Sequence, residues 1–95
     1  MDLGKSIKII RKEGGFKQNE FCELVGITQS YLSSIENNKK KPSIEVLEKI
    51  TNALNIPLAL LFWFTLTEDD ITESKKESYR LIKPSIDGLL NAFFN

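Results

Sequence analysis

Residues 18–36 read QNEFCELVGITQSYLSSIE, and this stretch decides the fold. Phe21, Leu24 and Val25 fall at helical spacing in its first half, Leu32 and Ile35 in its second, and the two patterns meet at Gly26-Ile27 with no room for a loose loop. Two short helices joined by a sharp turn are therefore predicted. Gly26 permits the positive φ that such a bend needs, and Ile27 can fill the angle between the helices. Thr28 is placed to cap the second helix with its hydroxyl. The outward positions of that helix, Gln29, Ser30, Ser33, Ser34 and Asn37, are uncharged side chains of short or medium length that donate and accept hydrogen bonds. Such a face can read base edges.

Working outward, Leu3, Ile7 and Ile10 recur at helical spacing with Lys5, Lys8 and Lys12 elsewhere on the wheel, which predicts a first amphipathic helix over residues 3–13, ended by Gly14-Gly15. Phe16 follows as a core anchor. On the other side, residues 37–42 (NNKKKP) form a polar, basic loop, since Pro42 biases its predecessor away from helix. Ser43 is then the N-cap of a helix whose inward stripe is Ile44, Leu47, Ile50, Thr51 and Leu54, with Asn55 at its end. Pro57, at a first helical position, opens a fifth helix in which Leu60, Leu61 and Phe62 close the core against the first. These five elements account for residues 1–66.

Residues 67–95 form a second unit. Thr67-Glu68-Asp69-Asp70 reads as an acidic hinge or the approach to a helix N-terminus. From Thr72 the helical pattern returns: Tyr79, Ile82, Ile86, Leu89, Leu90 and Phe93 keep one phase across Pro84, as one kinked helix or two short ones. Trp63 and Phe64 present more aromatic surface than a five-helix unit of this size needs. The tail stripe is accordingly expected to pack on Trp63 and Phe64, on a second copy, or on both.

Gln18, Gly26, Thr28-Gln29, Ile35-Glu36-Asn37 and Pro42-Ser43, at these spacings, resemble the DNA-binding domain of Cro/CI-type phage repressors and the xenobiotic-response-element family of bacterial regulators. The resemblance covers residues 3–66. It implies an all-α, lambda-repressor-like fold of five helices, here extended by a C-terminal helical segment. Lys17 departs from the family, which usually places Ser, Thr or Asn there as a helix cap; Glu20 in the first turn can partly compensate through the helix dipole. The resemblance also sets Arg11 opposite Glu36 in a largely buried ion pair, the alternative being one more solvated cation on a basic helix.

Composition bounds the function. Ninety-five residues at 41% hydrophobic suit one small domain plus an appendage. The longest apolar run, residues 56–66, is too short to span a bilayer and no charged-then-apolar leader opens the sequence, so a soluble, cytoplasmic, nucleoid-associated protein without membrane contact is expected. The lone Cys22 has no intrachain disulfide partner and reads as a small buried hydrophobe. Formal charge is zero, yet residues 1–66 hold nine Lys/Arg against seven Asp/Glu, and residues 67–95 four against six. The global field is weak, which leaves attraction of an anion to local clusters, Lys39-Lys40-Lys41 above all. With no His, no Cys-His pairing, no metal-ligand cluster and no phosphate-binding Gly loop, no enzyme, cofactor or metal is indicated.

The roles follow from residue chemistry and resemblance together. The helix over about residues 28–37 enters the major groove. Gln29 reads bases, because a primary amide can bond adenine N6 and N7 at once. Ser30 and Ser34 match the family's other base-contacting positions. Gln18, at the start of the second helix, resembles the family's phosphate clamp, while Asn37, Lys39 and Lys41 grip the backbone beyond the recognition helix and Lys40 points away. Tyr31 either contacts a sugar or phosphate or packs half-buried. One helix reads only a few base pairs, so a homodimer on an inverted repeat of double-stranded DNA is expected, with Trp63, Phe64, Ile82, Ile86, Leu89, Leu90 and Phe93 serving either the dimer contact or packing of the tail on its own subunit. The whole reads as a transcriptional regulator, most often a repressor in this family. The rival is a protein-interaction module, an antitoxin or adaptor, that uses the same scaffold and tail to hold a protein partner.

Overall fold

The computed structural model describes residues 1–94, in which every regular element is helical: α1 (Leu3–Glu13), α2 (Gln18–Val25), α3 (Gln29–Glu36), α4 (Ile44–Ala53), α5 (Leu58–Thr65) and α6 (Lys76–Phe94), with 3-10 turns at Glu68–Asp70 and Glu73–Lys75 before the last. Short polar side chains start three of them. Asp2 Oδ1 accepts from the Lys5 amide at 2.9 Å, Thr28 Oγ1 from Tyr31 at 3.1 Å, and Ser43 Oγ from Val46 at 3.2 Å. At the α2 start, where Lys17 offers no such oxygen, Glu20 reaches back and accepts from the Lys17 amide at 3.0 Å. Half of a capping box thus replaces the missing cap.

Gly26 closes α2 in the left-handed region at φ +85°, its N–H donating to the Cys22 carbonyl. Asn55 takes the same region after α4. Pro57 stands one position before α5, at its N-cap, and is not itself the first helical residue.

The core lies where α1, α2, α3, α4 and α5 converge, with Ile7, Ile10, Phe21, Leu32, Ile35, Ile50 and Leu61 fully enclosed and Cys22 and Val25 close beside them. Two residues assigned to inward patterns are instead solvent-facing: Leu24 is 55% and Ile44 56% exposed. The inward arc of α2 is already filled by Phe21, Cys22 and Val25, leaving Leu24 at its edge. Ile44 sits in the first turn of α4, past the rim of the core.

The tail is a single α-helix that runs through Pro84. Pro84 is exposed, so the Arg80 carbonyl that loses its helical donor lies on the solvent side, where water can replace it. Tyr79 anchors α6: buried, with its hydroxyl donating to the Leu66 carbonyl at 3.1 Å and its ring 5.6 Å from that of Trp63. Leu90 enters the core cluster, with Ile86 and Phe94 packed partly against it. The apolar stripe seen as one phase is thereby divided. Tyr79, Ile86 and Leu90 face the domain, whereas Ile82, Leu89 and Phe93 are each about half exposed.

Candidate nucleic-acid interface

α3 turns Leu32, Ile35 and Glu36 inward, leaving Gln29 and Ser30 exposed and Tyr31, Ser33 and Ser34 half-buried at the flanks. What holds it against the domain is polar as well as apolar. Arg11 of α1, 5% exposed, donates from Nε to Glu36 Oε2 at 2.7 Å and from Nη2 to Oε1 at 3.1 Å. Its remaining nitrogen, Nη1, donates to the Phe16 carbonyl at 2.8 Å, which ties down the loop between α1 and α2 as well. A bidentate guanidinium-carboxylate pair whose third guanidinium nitrogen is also paired is the geometry in which a buried charge pair holds.

The same carboxylate organises the groove-facing side. Gln18 Nε2 donates to Glu36 Oε1 at 3.1 Å, so the Gln18 carbonyl oxygen turns outward to Gln29, whose Nε2 lies 3.5 Å from it, at the outer limit of a hydrogen bond. The Gln18 side chain is therefore engaged from behind by the protein. Its capacity toward an anion rests on the second amide hydrogen and on the unpaired N–H groups of the first turn of α2.

Beyond α3 lies the expected polar, basic loop, held by backbone bonds. Ser34 O accepts from both Lys39 N at 2.8 Å and Lys40 N at 3.2 Å, and Asn38 turns the chain at φ +59°. Lys39 and Lys41 are exposed. Lys40 Nζ lies over the ring of half-buried Tyr31, 5.7 Å from its centroid, so this cation is directed at an aromatic face. The Asn37 amide folds back, Nδ2 donating to the Ser33 carbonyl at 3.0 Å, where it finishes the helix and would have to rotate away to grip a phosphate.

The structure thus gathers Gln18, Gln29, Ser30, Tyr31, Ser34, Asn37, Lys39 and Lys41 on and around α3. It keeps Trp63, Phe64, Ile82, Ile86, Leu89, Leu90 and Phe93 on α5 and α6, apart from that face. The sequence pattern overlooked the seat of α3. Gly4 of α1 lies so close to its end that a Cβ there would run into the Ile35 carbonyl and come within 2.8 Å of that of Glu36. Only a glycine lets α1 approach this closely, and the sequence signal was a Gly one position into an amphipathic helix.

A family model described as helix-turn-helix matches residues 7–61, more than half of the chain. The chain is 43% identical over 72 residues to the HTH-type transcriptional regulator SinR of Bacillus licheniformis, an alignment covering 75% of this chain and 61% of that protein. It is 38% identical over 71 residues to the ImmF control region 10 kDa protein of Bacillus phage phi105, covering 75% of this chain and 76% of that one. The immunity repressor protein of the same phage is 36% identical over 80 residues, covering 81% of this chain and 56% of the repressor. The chain thus spans less than two thirds of the SinR relative it matches.

Proposed function

The chain belongs to the Cro/CI-type, xenobiotic-response-element family of helix-turn-helix proteins, and from that premise we propose that it is a sequence-specific DNA-binding transcriptional regulator, a repressor acting as a homodimer on an inverted repeat. The observation that carries this reading is the exposed, uncharged, hydrogen-bonding end of α3 at Gln29 and Ser30, set on a buried ion pair and flanked by exposed Lys39 and Lys41. α3 enters the major groove with Gln29 bidentate to adenine, Ser30 and Ser34 read at close range or through water, and Lys39 and Lys41 on phosphates. Gln18 and the start of α2 hold a phosphate on the near side, with Tyr31 at the sugar-phosphate edge. Support for repression comes from the name of one phage relative, the immunity repressor, and from the occlusion of a promoter that a bound dimer would cause.

The dimer reading rests on α6. On a helical wheel the side of α6 that does not touch its own domain carries Leu81, Ile82, Leu89 and Phe93 with Ser78, Ser85, Gly88 and Ala92 between them, all exposed and none charged. Its charged residues, Lys76, Glu77, Arg80, Lys83 and Asp87, gather on the remaining arc. Solvated helix faces are ordinarily charged, and small residues between large ones admit close approach of another helix. A second copy presents the same uncharged face, which meets itself in a two-fold, isologous contact.

The test is enrichment of duplex sequences from a random pool by the full chain at low and moderate salt, with the mass of the complex measured by sedimentation. A palindrome bound by two chains, with salt sensitivity of about 0.9 in the log-log slope for each phosphate neutralised, is the expected result. A chain that ignores DNA even at low salt and copurifies with a stoichiometric protein partner would overturn the reading in favour of an interaction module.

A further inference from the structure

We propose that Asn38 is a positioning residue for DNA binding, a clasp that fixes the basic segment 39–41 in its phosphate-gripping shape by tying it to the start of α1; this rests on the regulator reading above. Asn38 occupies the left-handed region at φ +59°, a conformation that glycine adopts at lower steric cost. What asparagine adds is a side chain used at both ends. Its Oδ1 accepts from the Gly4 amide at 3.0 Å and its Nδ2 donates to Asp2 Oδ1 at 2.7 Å. That same Asp2 oxygen caps α1 through the Lys5 amide at 2.9 Å. One exposed amide therefore joins the helix cap of α1, the tight α1-α3 approach at Gly4, and the point where the chain leaves α3.

The segment that follows is held by two further ties, the Ser34 carbonyl receiving the Lys39 and Lys40 amides and the Tyr31 ring beneath Lys40. Both act downstream of the turn at Asn38. With the clasp in place, Lys39 and Lys41 leave a fixed backbone and present their ammonium groups without first ordering the chain. Binding a phosphate then costs less conformational entropy. The Asp2 carboxyl is held below the usual carboxylate range, first by the Asn38 bond and next by the Lys5 amide, in keeping with a clasp made while Asp2 is ionised.

The experiment separates positioning from both contact and stability. Asn38→Gly keeps the positive φ and removes the clasp. In the full chain it leaves the Gly4 amide without its acceptor and should lower the thermal midpoint modestly, offset in part by the easier positive φ. Affinity for a mixed-sequence duplex, measured well below that midpoint, falls about threefold to tenfold, the cost of re-ordering one side chain or short segment on binding. Because no phosphate contact is lost, the salt slope stays at the wild-type value, whereas Lys39→Ala lowers it by about 0.9. Asp2→Ser, which preserves an N-cap oxygen for α1, should reproduce the loss, and the double variant should be no weaker than either single one. Amide exchange at Lys39 and Lys40, whose N–H groups are bonded to the Ser34 carbonyl, should quicken in both in the DNA-free protein. If Asn38→Gly binds duplex as tightly as the unsubstituted chain, or loses thermal stability with affinity intact, the clasp is structural only and the proposal falls alone. If the unsubstituted chain shows no salt-sensitive binding, the regulator reading falls and takes this proposal with it.

Discussion

α3 and α6 are both amphipathic helices that leave an uncharged face to solvent, and they are held in opposite ways. α3 is eight residues long and is locked from behind by a bidentate, buried Arg11-Glu36 pair and by the backbone approach at Gly4. α6 is nineteen residues long and buries only Tyr79 and Leu90 outright, its other ties to the rest of the chain being the partial packing of Ile86 and Phe94 and the exposed Arg80-Glu68 pair. The face α3 presents is polar, while the face α6 presents is apolar. A polar face on a rigid seat suits readout of fixed base edges, because each hydrogen bond needs a defined direction. An apolar face on a lightly docked helix suits association with another apolar surface, since burial is non-directional and tolerates adjustment.

The sharpest way to break this comparison is at the seat of α3. Arg11→Met leaves the Glu36 carboxylate buried without its partner and also frees the Phe16 carbonyl, so a destabilisation of about 3 to 5 kcal/mol is expected in denaturant unfolding. Combining it with Glu36→Gln should cost far less than the sum of the single changes; additive losses would show that the two side chains act independently. At the seat of α6 the expected effect is smaller. Leu90→Ala removes a largely buried side chain from the core cluster and should cost about 2 to 3 kcal/mol, with exchange protection lost across α6 while α1 to α5 keep theirs. Loss of protection throughout would mean that the tail belongs to one cooperative unit with the rest.

Leu89→Glu sharpens the comparison at the free faces. Leu89 is 54% exposed, so stability of the single chain should change by no more than about 0.5 kcal/mol, while sedimentation should shift toward the monomer and binding to an inverted repeat should weaken. An unchanged dimer would move the contact off this face.

The smallest effect lies in the surface ion pair that steadies α6. Arg80 donates to Glu68 at 2.6 and 3.2 Å and holds the Glu68 carboxyl below the usual carboxylate range. The Asp70 carboxyl is likewise lowered, first by the Thr67 amide. A lowered folded-state value means that this stabilisation is complete above the ordinary carboxylate range and is lost as pH falls through the folded-state values. Thermal melts taken into mild acid should therefore lose stability in that window, and Arg80→Ala should reduce the part of the loss that belongs to Glu68. An identical acid profile in Arg80→Ala would remove the pair from the account.

Much of the fold was legible because its signals are local. The caps at Thr28 and Ser43, the glycine at residue 26 and the periodic apolar residues of α1 to α4 each specify a turn or a helix from a few neighbours. Leu24 and Ile44 misled for the converse reason: a period says that a residue shares a face, and whether that face reaches the core depends on what fills it. Around α3, residue types placed Gln29 and the lysines near one another, but nothing in their spacing showed that Gln18 is held by Glu36, that Lys40 lies on Tyr31, or that Asn37 folds onto its own helix.

By itself the sequence determined the number and order of the five domain helices, the turn between α2 and α3, and the uncharged outward face of α3, since each follows from bond geometry and from polarity at fixed periods. Tertiary structure alone decided that one helix crosses Pro84, that the tail stripe is shared between the domain and solvent, and that Gly4, Asp2 and Asn38 meet at the end of α3. Those outcomes depend on which surfaces arrive opposite one another, and contacts between residues more than thirty positions apart leave no period in the chain that makes them.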